Sequence, residues 1–442
     1  MNNLRSLMSA TLLALALVAP AARAADETPN PWKFEFHGFV TASMYYQDQV
    51  FVNGQGQGLW LAAPTPSNLA KCRVSGTFGC TAGTPAGFLP ATKAGNIVSG
   101  DVRNSRFSFS MAGPKVFGDA QPRGYLEFDF FGQNGAGAFG TEQPLPRLRV
   151  GYVELKMGST NVQVGQQNQL VVQQIPGSIA HIANPVSYQA GTIGWRTPGV
   201  RITQVLAMGD NKLTFAAEAV KNKWSNEAVN AGTANPTSPG GIGFGEASGM
   251  PMFQGMARVD GKAGDLSYTG YLVGVYHTVH LPGFGDFAAL PVAADGKKDL
   301  TGYVGEVGGK VTFAPVSLAF NAYTGKATGN MLGSMVVFGD IKDLGYWASL
   351  SGGLTKEFSV TLTYGANKPD EKDMRKWASA TATPSATTRL KNSMVGGMIK
   401  YQDGGYALAL EGYHLTTTYA NSATTSTDTA ALQVIATAGY FF

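Results

Sequence analysis

Residues 429–442 read TAALQVIATAGYFF, and this stretch decides the fold. Leu432, Val434, Ala436, Ala438, Tyr440 and Phe442 fall on one face, and Ala431, Gln433, Ile435, Thr437, Gly439 and Phe441 on the other. One face is wholly apolar, the other is mixed, and the period is two, which predicts a strand. A soluble sheet would need a second layer over a face this long. A transmembrane barrel covers it with lipid and places aromatic side chains at the interface, where Tyr440 and Phe442 stand.

Working outward from that strand, the same alternation recurs along the chain. Residues 32–46 put Trp32, Phe34, Phe36, Gly38, Val40, Ala42, Met44 and Tyr46 on one face. Lys33, Glu35, His37, Thr41 and Ser43 lie on the other, interrupted by Phe39. A tilted membrane strand needs about 9–11 residues of such alternation. Later strands follow in pairs. Phe107, Phe109 and Met111 are expected to face outward, as are Leu126, Phe128 and Phe130, and Leu148, Val150 and Tyr152. The last of these strands loses its alternation near Val153 and Glu154, which predicts a bulge there. Short turns are expected at Ala314-Pro315, at Lys356-Glu357 and at residues 402–405. Longer polar loops fall near 221–250, 279–298, 326–343, 366–388 and 418–428. The tally is about 16 strands, with 18 left open. An even number with alternating short and long connections is the membrane-barrel pattern. The fold class is therefore all-β: a transmembrane antiparallel β-barrel of about 16 strands.

Composition agrees. Charged residues make up only 14% of the 442, whereas aromatics reach 11% and glycines number 57. A mean hydropathy of -0.04 fits a barrel whose strands hide half their side chains in a polar lumen. Arg5, the apolar run of residues 12–18 and Ala22-Arg23-Ala24 form a secretory signal peptide, cut after Ala24. Residues 25–442 then form a single barrel domain. Losing Arg5 and Arg23 takes the basic residues from 33 to 31, against 29 acidic, too small an excess to argue for nucleic acid. Cys72 and Cys80 share one loop, and in an exported chain their spacing reads as a local disulfide.

Charged side chains fall on the inward face: Arg106, Glu127, Asp129, Arg149, Arg201, Glu218, Arg258, Glu306, Lys310 and Glu411. In a dry core each would cost several kcal/mol unless paired. Sixteen strands enclose water, which removes that cost. Arg103, Arg106, Arg147, Arg149, Arg196 and Arg201 are expected in one neighbourhood, with Glu127 and Asp129 between them. Guanidinium groups grip carboxylate or phosphate in a fork. Such a row facing acids across a lumen sets up a transverse field, and where arginine dominates it favours anions. The plainer reading is that these arginines pair with Glu127 and Asp129 and brace the wall. These eight residues form the candidate constriction and solute-binding set. His277 and His280 at a strand end read as a solvated rim, not a metal site. Residues 135–140 match G-x-G-x-x-G, but Pro144 and Pro146 stand where a nucleotide-binding helix would start. No cofactor is expected.

Several segments carry a family resemblance. They are Asp101-Val102-Arg103-Asn104-Ser105-Arg106-Phe107, Tyr125-Leu126-Glu127-Phe128-Asp129-Phe130, Arg147-Leu148-Arg149, Tyr152-Val153-Glu154-Leu155, Gly165-Gln166 and Arg196-Thr197-Pro198. With the terminal Phe442, they make the chain resemble the trimeric porins of the Gram-negative outer membrane, in the DcaP-like and phosphate-selective group. The resemblance covers about the first half of the barrel; the second half matches in rhythm alone. It implies a 16-stranded pore in a homotrimer, with a loop folded inward as a constriction. Residues 167–190 occupy that loop's place and lack strand rhythm. The partners implied are outer-membrane lipid, the barrel-assembly machinery acting through Phe442, and small anionic or polar solutes. The function expected is passive diffusion of small hydrophilic solutes, with a mild anion preference. The alternative is a barrel enzyme of the lipase or protease type. It would need a Ser or Asp beside His37, His181 or His414, and no such set stands out in the sequence.

Overall fold

The computed structural model describes residues 32–49, 51, 96–132, 144–222, 244–280, 299–336, 340–380, 389–420 and 424–442. The expected signal peptide of residues 1–24, the Cys72–Cys80 pair and the 135–140 glycine motif lie outside the described residues. The strands are β1 (Lys33–Gln47), β2 (Ile97–Asp101), β3 (Arg106–Ala112), β4 (Gln121–Gly132), β5 (Leu145–Met157), β6 (Thr160–Asn168), β7 (Arg196–Met208), β8 (Asn211–Val220) and β9 (Met252–Ala263). They continue as β10 (Leu266–His280), β11 (Asp299–Phe313), β12 (Val316–Lys326), β13 (Lys342–Gly353), β14 (Phe358–Asn367), β15 (Arg389–Asp403), β16 (Tyr406–Ala420) and β17 (Ser426–Phe441).

From β3 onward each strand pairs antiparallel with the next, and β17 returns to β1, with Val40 opposite Tyr440 and Tyr46 opposite Val434. Both β2 and β3 pair with β1, so they are two halves of one stave broken at residues 102–105. The barrel therefore has 16 staves and is closed. Closure leaves no unpaired edge, as hydrocarbon requires. At the seam, Gly38 and Phe442 exchange backbone hydrogen bonds of 2.9 Å in both directions. The Phe36 ring lies 5.5 Å from that of Phe442 and 4.9 Å from that of Phe109. The outward side chains expected from the alternation, among them Phe34, Val40, Met44, Phe109 and Leu126, are exposed on the barrel wall.

Four of the tight turns open on a left-handed glycine: Gly158 (φ 57), Gly209 (φ 59), Gly264 (φ 59) and Gly404 (φ 53). A side chain would resist that conformation, and two-residue hairpins need it to follow the strand twist. One longer loop carries a helix, α1 (Glu371–Ala380), where a plain loop was expected. Asp370 caps it by accepting a 2.8 Å hydrogen bond from the Asp373 N–H.

The bulge lies earlier than the alternation suggested. Glu127 pairs with Val150 and Phe128 with Leu148, which leaves Arg149 as the extra residue on β5. Arg149 and Val150 are consequently both buried, and every later side chain of β5 changes face. Tyr152, expected outside, stacks on inward-facing Tyr125 with ring centroids 5.5 Å apart. Val153 is 64% exposed on the outer wall.

The interior is also drier than expected. Residues 169–195 fold into the barrel, and so do residues 327–336, which had read as part of an external polar loop. Leu170, Val171, Ile193 and Met331 pack against inward side chains of β10 to β12, including Tyr271, Val273, Val275, Val304 and Tyr323. Charges expected to sit in lumen water are instead covered: Asp129, Glu218, Glu306, Glu411 and Arg149 are all buried. His277 is no solvated rim either. It is fully buried, and its ring occupies the space above Gly302 of β11, where a Cβ would come within 1.9 Å of Nε2.

Candidate pore constriction

The arginine cluster is built by strand register. Arg106 on β3 stands opposite Asp129 on β4, which stands opposite Arg147 on β5. Side chains this long span the gap between neighbouring strands, so ion pairs form along the wall. Arg147 grips Asp129 in a fork, with Nε at 2.9 Å and Nη2 at 2.6 Å. Arg149 reaches both acids, with Nε 2.7 Å from Glu127 and Nη1 2.5 Å from Asp129. Arg106 lies 3.6 Å from Glu127. Arg147 and Arg149 are two residues apart on β5 and both face inward, and the bulge changes the face only of the residues that follow Arg149.

Arg103 and Arg201 pair with other carboxylates. Arg103 makes a fork with Asp101, its Nη2 at 2.6 Å, across the break between β2 and β3. Arg201 on β7 pairs with Glu218 on β8 through Nε at 2.8 Å and Nη2 at 2.5 Å. The expected neighbourhood of six arginines thus divides into a cluster of four and two separate pairs. The cluster holds Arg106, Arg147, Arg149 and Arg196 against Glu127 and Asp129, an excess of two positive charges. The acids lie among the arginines on one wall, so the row does not face them across a lumen.

Arg196 opens β7 and is mostly buried. Its guanidinium stacks 3.8 Å from the Trp195 ring, and Arg147 approaches the same ring at 5.6 Å. Arg147 also lies 5.4 Å from Phe131, which Arg103 meets at 4.6 Å. Arg103, Phe131, Arg147, Trp195 and Arg196 therefore alternate cation and ring. Each such contact is worth about 0.5–1 kcal/mol when exposed and more when dry.

Two of the cluster's arginines also hold the inner loop of residues 169–195. Arg106 Nη2 donates to the Ile182 carbonyl at 2.9 Å, and Arg149 Nη1 to the Ala183 carbonyl at 3.3 Å. Of the remaining anchors, the sequence marked Glu411 only as an inward charge and His181 only as a histidine with no partner set, and it did not single out Asn392 or Gln433. Asn104, in the break between β2 and β3, donates to the Ala180 carbonyl at 2.6 Å and accepts from the Ala183 N–H at 3.0 Å. Glu411 on β16 accepts from the N–H groups of Ile179 and Ala180, both at 2.9 Å. It also accepts from the hydroxyls of Ser178 and Tyr413, both at 2.6 Å. His181 lies 3.1 Å from Gln433 on β17, and burial pushes its imidazole from 6.5 down to about 3. Asn392 on β15 donates to the Gln189 carbonyl at 2.8 Å. The loop thus starts from β6 and is fastened to β3, β5 and the β15–β17 wall. The signal for Asn104 was present, since Asn104-Ser105 interrupts an alternating run with turn residues.

No protein-family model matches the chain, and no curated protein matches it in sequence. Solved structures do. The outer-membrane channel DcaP of Acinetobacter baumannii aligns with a TM-score of 0.61 at 16% identity, over 93% of this chain and 97% of that one. The anion-selective porin from Comamonas acidovorans aligns at 0.51 and 13% identity, over 93% and 100%. A trimer form of OmpT from Vibrio cholerae aligns at 0.50 and 10% identity, over 93% and 100%. The likeness spans nearly whole chains. This chain has the fold of the Gram-negative outer-membrane porins.

Proposed function

We propose that the chain is an outer-membrane porin, a channel for passive diffusion of small hydrophilic solutes with a mild preference for carboxylate and phosphate anions. The observation that carries the anion preference is the charge excess in the cluster: Arg106, Arg147 and Arg149 share Glu127 and Asp129, and Arg196 adds a fourth guanidinium beside them. Arg147 keeps about a quarter of its side chain exposed, and Arg196 makes no ion pair among the described residues. Guanidinium groups stay charged at any working pH, so the field there is positive. The described anion selectivity of the Comamonas acidovorans porin supports the same sign.

On this reading Arg103, Arg106, Glu127, Asp129, Arg147, Arg149, Arg196 and Arg201 divide the work. Arg147, the most exposed of them, meets the solute, and the buried Arg196 adds its charge from behind the Trp195 ring. Arg106, Arg149, Glu127 and Asp129 hold the inner loop and the wall, and Arg103 and Arg201 brace the flanks. The chain loses residues 1–24 on export, is inserted by the barrel-assembly machinery through Phe442, and works as a homotrimer in outer-membrane lipid. The trimeric OmpT form supports that assembly. The barrel moves solutes and carries out no reaction of its own; turnover of a lipid ester or peptide by the purified protein would overturn that.

The test is the reversal potential across a salt gradient in planar bilayers. Anion preference is expected, weakened when Arg147 and Arg196 are both changed to Gln. Clear cation selectivity of the wild-type chain would end the anion reading.

A further inference from the structure

The second inner loop, residues 327–336, has no role in the reading above. Its sequence is ATGNMLGSMV, with no charged residue. It turns into the barrel between β12 and β13 and is held by one buried carboxylate. Asp343 accepts from the Ser334 hydroxyl at 2.6 Å, the Asn367 amide at 2.6 Å and the Tyr323 hydroxyl at 3.1 Å. Thr328 and Ser334 join hydroxyls at 2.7 Å across the loop's neck, and the Met335 N–H donates to Asn367 at 2.9 Å.

This loop is bonded to the first one. The Gln189 N–H donates to the Gly333 carbonyl and the Gly194 N–H to the Leu332 carbonyl, both at 2.7 Å. Gly333 sits at φ +93, and a Cβ there would come within 2.3 Å of the Thr192 carbonyl oxygen. The first loop makes an equally close approach at Gly191 (φ +111), where a Cβ would meet the Tyr346 carbonyl of β13 at 2.2 Å. The two loops therefore cross the barrel as one piece, fastened at Asp343 on one wall and at Glu411 and Asn104 on the other.

The 16 staves close by their own backbone ladder, without help from either loop. Ordering ten extra residues inside a barrel costs conformational entropy of about 1–2 kcal/mol per residue, and their bonds and packing must offset it. We infer that residues 327–336 are a second constriction element, locked to the first by Gly333 and Leu332, and that the pair sets the size limit of the channel. The inference rests on the channel reading. Because the second loop is uncharged, it controls width and leaves the sign of ion selectivity to the arginine cluster.

The experiment compares the wild-type chain, G333V, and a variant in which residues 329–334 are replaced by Gly-Gly. Each is refolded in detergent, checked for a folded barrel by its heat-shifted mobility in gels, and placed in planar bilayers with polyethylene glycols of graded size. The short-loop variant should roughly double the single-channel conductance or exceed that, and should admit larger polymers, at an unchanged anion-to-cation ratio. G333V should shift both in the same direction by less. Folded variants whose conductance and polymer limit equal those of a conducting wild type would overturn the inference and leave the channel reading intact. A short-loop barrel that no longer folds would also overturn it, by making the loop a part of the scaffold. A wild-type barrel that folds but never conducts would overturn the channel reading, and this inference with it.

Discussion

Glu411 is the single residue on which the geometry of the first inner loop depends most. Four donors converge on a carboxylate with no exposure to solvent, two of them backbone N–H groups of that loop. Replacing it with leucine strands those donors, at about 1–3 kcal/mol each where they stay dry. Glu411→Leu is therefore expected to loosen residues 178–181 while the barrel remains closed. Open-channel noise should rise and protease cleavage should appear in that segment, with heat-shifted mobility retained. Quiet channels in that variant would contradict the assignment. His181 gives a pH dependence with a definite sign. Its imidazole is held down near 3 in the fold, against 6.5 in the unfolded chain, so the unfolded loop binds the extra proton. The loop is fully stabilised above about pH 6.5 and loses that contribution as pH falls toward 3. Channel noise should grow as pH falls from about 6 to about 4, and His181→Asn should flatten the dependence.

At the scale of the element, the β5 bulge makes a prediction that separates the two possible phases. Val153 faces lipid and Tyr152 faces the interior, the reverse of an unbroken alternation from Leu148. Val153→Arg should cost about 2–4 kcal/mol in folding into lipid vesicles if it lies at mid-depth, and Tyr152→Arg much less. Equal costs would place the bulge elsewhere. The same element marks what could and could not be read from residues. Turns at Ala314-Pro315 and near residues 402–405 were legible, as were β1 and β17, because lipid imposes a strict period of two on the outer face. Arg149 was legible as inward and charged, but not as the extra residue, since the bulge is fixed by the partner β4. The helix α1 hid in a polar stretch whose only cue was Asp370 ahead of Asp373. The second inner loop was missed for a related reason. Met331, Leu332, Met335 and Val336 are too apolar for a solvated loop, yet nothing local reveals that the wall they cover is the barrel's own interior.

For the whole molecule, the physical balance lies between two surfaces. Outside, exposed Phe, Leu, Val and Ile side chains of nearly every stave would be untenable in water and are at rest in hydrocarbon. Inside, a part of the barrel is filled by two bonded loops and a set of buried carboxylates with dedicated donors. Within the arginine cluster Arg147 keeps the largest share of its side chain in solvent, about a quarter, whereas Arg149 and Arg196 are buried. The proposed function requires a continuous water path past Arg147 through this closed wall. The most direct test is the current carried by single molecules of purified chain in a planar bilayer. Steady, discrete steps whose size grows with salt concentration are expected; folded barrels that insert and carry no current would contradict the account.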